Sequence, residues 1–152
     1  MKVSGRSMAF ALAGGLLAAG VLAVPATANG TQVPAVGTVT VTTHIQGDGT
    51  QPPAALGDPK EWGVVEFTAD STGGVTPMTV LDIGGGTWSY GKNLTTDGQY
   101  CYSNYYHPTV KHGSTVQVAS WEDKQIVAKG LWSYANITAG AAYTCKTYYA
   151  KY

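Results

Sequence analysis

The chain has 152 residues, with nine Lys plus Arg against nine Asp plus Glu and only 12% charged side chains. A balance this close to neutral provides no basic field for nucleic acid. The length allows one ordinary domain, or a small domain with a prosegment.

Residues 1–28 open with a short basic region, Lys2 and Arg6, followed by an apolar run from Met8 to Val24 and then Ala26-Thr27-Ala28. That is the layout of a secretory signal peptide cut after Ala28. The run falls short of the roughly 20 residues that a spanning helix needs. No later stretch is apolar enough to cross a bilayer, so the expected product is secreted and has no transmembrane segment once the signal is removed. Removal leaves seven Lys against nine acids. In an oxidising compartment the two cysteines, Cys101 and Cys145, read as one disulfide.

Residues 29–85 form an N-terminal extension of distinct composition. They contain five of the seven prolines, and all ten tyrosines lie after Gly86. "VGTVTVTTHI" alternates Val39, Val41, Thr43 and Ile45 against Thr and His, and "WGVVEFT" and "MTVLDI" are short β-prone runs. Three such strands make a weak core alone. The extension is therefore either a prosegment or a set of extra strands laid on the downstream domain. The run Gly84-Gly85-Gly86 marks either a domain boundary or a tight turn within one fold.

Residues 86–152 read as six strands, at about 87–92, 99–107, 114–121, 124–129, 131–138 and 142–150, separated by Gly, Asn, Asp or Pro as hairpin turns require. No window keeps a three-four apolar spacing, so no helix is expected. The pattern predicts a small all-β sandwich or barrel. Glu122-Asp123 falls at the expected turn between "VQVASW" and "KQIVAKG".

"GTWSYGKNLTTDGQYCYSNY" from Gly86 and "GLWSYANITAGAAYTCKTYY" from Gly130 echo each other at an offset of 44 residues. Gly86, Trp88, Ser89, Tyr90, Cys101 and Tyr105 fall on Gly130, Trp132, Ser133, Tyr134, Cys145 and Tyr149. Either the two segments are pseudo-symmetric, with the cysteines in equivalent places, or "GxWSY" merely suits two hairpins.

The densest cluster is "CYSNYYHPTVKHG", residues 101–113. Strand alternation puts Tyr100, Tyr102, Asn104 and Tyr106 on one side and Cys101, Ser103, Tyr105 and His107 on the other. A surface of Tyr, Trp and amide side chains suits sugar rings and peptide stems, because stacking and hydrogen bonding are met together. The candidate ligand-binding residues are Trp88, Tyr90, Tyr102, Asn104, Tyr105, His107 and His112, with Trp132 and Tyr134 as the echoed set. His107 and His112 have no third ligand nearby in sequence, so they are expected to shape a turn and no metal site is expected. There is no G-x-S-x-G elbow, no H-E-x-x-H and no phosphate loop followed by a helix. Hence neither catalytic residues nor a cofactor is expected.

The segment from Gly85 to the end resembles the lactococcin 972 family of secreted bacteriocins. The motifs that carry the resemblance are "GGTWSYG" (85–91), "YSNYYH" (102–107), "HGSTV" (112–116), "GLWSYA" (130–135) and the tail "YYAKY". The resemblance implies a β-sandwich of two three-stranded antiparallel sheets over residues 86–152, export, and a non-enzymatic antibacterial action. It also implies binding to the cell-wall precursor lipid II and a block of septum formation in Gram-positive cells. The expected partner is thus lipid II or another wall precursor, with a homodimer left open. The alternative is a secreted surface or carbohydrate-binding β-module that does not kill.

Overall fold

The computed structural model describes residues 40–68 and 78–152; the signal peptide read from the sequence lies outside the described residues. Among the described residues nine strands run in chain order: β1 (Thr42–Ile45), β2 (Glu61–Phe67), β3 (Thr79–Ile83), β4 (Gly86–Thr95), β5 (Gly98–Tyr106), β6 (His112–Val118), β7 (Trp121–Val127), β8 (Trp132–Ala139) and β9 (Cys145–Lys151). A single 3₁₀ turn, Ala54–Leu56, interrupts the loop between β1 and β2. No α-helix is present among the described residues.

The strands form two antiparallel sheets, β1-β2-β9-β6-β7 and β3-β4-β5-β8. This corrects the expected pair of three-stranded sheets. The six strands of residues 86–152 do divide three and three, but the upstream runs join them: β1 and β2 extend one sheet and β3 extends the other. The ladder between β2 and β9 runs in register from Glu61↔Lys151 to Phe67↔Cys145. Val65 and Phe67 from β2 enter the main core beside Trp88, Tyr105, Val116 and Tyr149.

Turn chemistry explains three of the hairpins. Gly84 and Gly85 form the two-residue loop between β3 and β4, with φ of 62° and 82°. Positive φ at both central positions is what a type I′ turn requires, and it costs glycine nothing. The triple glycine is therefore a turn within a sheet. Thr96 and Asp97 turn β4 into β5, and Ala119 and Ser120 turn β6 into β7. The last loop corrects the reading of Glu122-Asp123 as turn residues, because both lie in β7 opposite Gln117 and Val116. Asp123 and Gln125 reach across to edge strand β8, accepting hydrogen bonds from the Asn136 N–H at 2.8 Å and the Tyr134 N–H at 2.7 Å. The unpaired amides of β8 are thereby closed to further strand addition.

The sheets are stitched through polar atoms as well as apolar packing. Trp88 Nε1 donates to Ser103 Oγ at 2.9 Å, and Ser103 Oγ donates to Tyr148 O in the facing sheet at 2.7 Å. Ser114 and Ser133 pair hydroxyl to hydroxyl at 2.8 Å, again between sheets. Each buried hydroxyl thus avoids the penalty of an unmade hydrogen bond. The Cys101–Cys145 disulfide joins β5 to the start of β9 across the core, with the Cα atoms 6.2 Å apart.

The echoed segments are not equivalent in the fold. β4 and β5 pair as a hairpin within one sheet, whereas β8 and β9 lie in different sheets. Trp88 and Tyr90 are buried while Ser133 is buried between exposed Trp132 and Tyr134. The same "WSY" words face opposite ways. Because side chains alternate with period two, a one-residue change of phase exchanges the faces of a whole strand.

The two outer faces differ. Over the five-stranded sheet, the loop between β1 and β2 folds back and buries Leu56 against Trp62, Tyr148 and Ala150. Tyr152 Oη donates to Leu56 O and Lys124 Nζ to Ala55 O, which fixes this loop from below.

This arrangement can be tested by truncation and by opening the disulfide. A chain beginning at Gly86 loses β1 to β3, opens the edge of β9 and unroofs the second cluster; it should lack a cooperative thermal transition that the chain beginning at Asn29 displays in circular dichroism. The Cys101→Ser/Cys145→Ser variant, which reopens a loop of 44 residues, should lose roughly 4 kcal/mol by the loop-entropy relation. Its Tm should fall by on the order of 10 °C.

Candidate functional site

The outward side of the four-stranded sheet is built by alternation along four paired strands. In register, Asp82↔Thr87, Thr87↔Tyr106 and Tyr106↔Trp132 make one row. Val80↔Ser89, Ser89↔Asn104 and Asn104↔Tyr134 make the next. Gly91↔Tyr102 and Tyr102↔Asn136 come after it. β5 therefore contributes Tyr100, Tyr102, Asn104 and Tyr106 to one side, as alternation predicted, and Cys101, Ser103 and Tyr105 to the core.

This face carries a shallow trough. Met78 and Val80 stand on one bank and Trp132 and Tyr134 on the other, with Ser89 and Asn104 between them, enclosing about 300 Å³. A second hollow of about 370 Å³ adjoins it at Asp82, Thr87, Tyr106 and the glycine turn. The two therefore share neighbouring rows of one surface. Trp132 is 39% exposed and Tyr134 53%, an unusual degree for large rings on strand positions. Their ring centroids are 6.4 Å apart at an interplanar angle of 26°, and Trp132 lies 5.5 Å from Tyr106. The rings thus form a nearly continuous bank.

Polar groups on this face are partly uncommitted. Asn104, half-buried, makes no side-chain hydrogen bond among the described residues. Tyr102 lays its ring over Gly91, where a Cβ would sit 2.7 Å from its hydroxyl. That hydroxyl is buried beside Ser89 without a well-made hydrogen bond. Burial holds the Tyr102 hydroxyl above the usual phenol range, opposed by the neighbouring Ser89. The outward strand positions carry a single charged side chain, Asp82, whose carboxylate accepts from Thr87 Oγ1 at 2.9 Å.

Of the residues singled out from sequence, Tyr102, Asn104, Trp132 and Tyr134 come together here. Trp88, Tyr90 and Tyr105 are buried in the main core. His107 is buried where the chain leaves β5. Its Nδ1 accepts from the Thr109 and Val110 N–H groups, which places the proton on Nε2 for donation to Gly84 O. His112, fully buried, spans from Val110 O to Leu131 O and ties two connections together. Both histidines thus serve turn geometry. Met78, Val80 and Ser89 belong to the trough and were not among the residues expected there. Their signal was the pairing of "MTVLDI" with the β4 strand, which no local pattern announces.

Below the face, tyrosines are committed to the core. Tyr149 donates to Glu61 Oε1 at 3.0 Å and Tyr105 to Ile83 O at 3.1 Å. Burial is the main cause that raises the Tyr105 and Tyr149 hydroxyls well above the phenol range, and it pushes Tyr148 up to about 12. A phenol whose folded value is raised contributes stability below its unfolded value near 10, and that stability is lost as pH rises through the folded value. Between pH 10 and 12 the protein should therefore lose stability. Phenolate absorbance from the buried set should rise only together with unfolding. Complete ionisation of all the tyrosines with the fold intact would contradict the arrangement.

No curated protein and no solved structure matches the chain. Residues 84–149 match the family model described as Bacteriocin (Lactococcin_972). The match spans the glycine turn and β4 to most of β9, leaving β1, β2 and β3 outside it. The matched segment supplies three strands to each sheet, together with the aromatic bank and the floor of the trough, and this segment is similar to the lactococcin 972 family of bacteriocins.

Proposed function

We propose that this protein is a secreted bacteriocin that binds a cell-wall precursor such as lipid II on related Gram-positive cells and blocks wall synthesis at the septum, without catalysis. The observation that carries the reading is the open aromatic trough, formed largely by the bacteriocin-family segment. Small ligands are held in concave, largely apolar sites with a few convergent polar groups, and Asn104 and Ser89 provide these. Part of the opposite outer face is covered by the chain's own loop around Leu56, which favours this sheet as the contact surface. No helix among the described residues is long and apolar enough to cross a membrane. The reading accordingly rests on recognition at the surface of the target cell, after export by the signal segment.

The chain beginning at Asn29 should inhibit growth of sensitive Gram-positive cells and bind saturably to vesicles containing lipid II. Trp132→Ala and Tyr134→Ala, both at exposed positions, should fold normally and lose at least about tenfold in binding, roughly 1.4 kcal/mol, and in inhibition. Neither inhibition nor saturable binding by a folded protein would end this reading. Release of wall fragments would replace it with a hydrolase.

A further inference from the structure

We infer that the part of a wall precursor held in the trough is its uncharged, N-acetylated sugar and not its pyrophosphate; this rests on the proposed function. Phosphate groups are held by Lys or Arg, by helix N-termini or by backbone amides turned together into a nest. Among the described residues, the face has none of these devices. Its only charged strand position is acidic Asp82, and the amides of central strands β4 and β5 are spent in the sheet ladders. Lys92, the one cation of β4, is buried and donates to Thr68 O, away from the outward rows. The chain's only arginine is Arg6, in the signal segment.

What the trough does contain matches a pyranose ring. The broad faces of Trp132 and Tyr134 offer stacking surface for the C–H side of a sugar. On the floor beside them, the uncommitted Asn104 amide supplies donors and an acceptor for ring hydroxyls or an acetamido group. The Ser89 hydroxyl, on the floor beside Asn104, provides a further donor. A neutral ligand also agrees with the lone carboxylate: Asp82 would repel an anionic group entering the adjoining hollow.

The test uses the secreted chain and four probes. These are soluble glycan fragments made only of uncharged N-acetylglucosamine units, and phosphatidylcholine vesicles carrying undecaprenyl pyrophosphate, lipid II or nothing. The glycan fragments should bind, with less than about a twofold change between roughly 0.05 and 0.5 M salt, since no ion pair is screened. Vesicles with undecaprenyl pyrophosphate should bind no better than plain ones. Asn104→Ala should weaken glycan binding by about tenfold while the thermal transition stays in place. Salt-sensitive binding to undecaprenyl pyrophosphate with none to glycans would overturn the inference and leave the precursor reading standing. Equal binding to all vesicles, plain ones included, with none to glycans would overturn it in favour of a lipid surface. No binding to any probe, lipid II included, would remove the precursor reading with it.

Discussion

The antiparallel ladder between Glu61–Phe67 and Cys145–Lys151 is the contact on which the rest of the molecule depends. It sets β9 between β2 and β6, so that the last strand of the chain is central instead of an exposed edge. It delivers Val65 and Phe67 to the main core and carries the loop of Leu56 over the outer side of the same sheet. Glu61, at one end of the ladder, pairs with Lys151 and receives the Tyr149 hydroxyl. Lys151 in turn donates to Gly84 O at 2.7 Å, so the glycine turn of the other sheet is tied to this ladder.

That construction makes the two outer faces unlike. One is roofed by the chain's own residues, with Leu56 fully buried; the other leaves Met78, Val80, Trp132 and Tyr134 at the surface. Exposed apolar area of this kind has a cost in solubility, and a contiguous patch of it marks an interaction site more often than chance exposure does. Trp132 and Tyr134 expose their rings on the sheet that the matched segment mostly builds, a second exposed pair, Trp121 and Tyr143, lies off it, and the extension supplies the opposite roof and one bank of the trough.

Much of this architecture is legible in the sequence, because strands announce themselves through local chemistry. The runs "WGVVEFT" and "MTVLDI" fall on β2 and β3, and the Gly-, Asn- and Asp-marked intervals separate strands close to the observed bounds. Alternation within β5 correctly separates Tyr100, Tyr102, Asn104 and Tyr106 from the core residues Cys101 and Tyr105. The two cysteines of the sequence have only one possible partner each, and the disulfide forms between them. The misplaced turn at Glu122-Asp123 shows the limit of local chemistry. Ala119, with φ of 54°, occupies a left-handed position that its residue type does not advertise.

Periodicity and turn residues are enough to set the all-β class, the strand positions and the relative sides of neighbouring residues, since each of these depends on side chains within a few positions of one another. Which side of each strand meets the core is settled by assembly of the two sheets. Trp88 and Tyr90 point in, and Trp132 and Tyr134, in the same "WSY" words, point out. The difference arises because β4 lies between β3 and β5 and takes part in the core against β9, whereas β8 is an edge strand whose phase is set by Ser133 and Ala135 packing inward and by Gln125 and Asp123 gripping its amides. Those partners are distant in the chain or lie in another sheet. No local pattern contains them, and for the same reason the banks of the trough become visible only once the sheets are packed together.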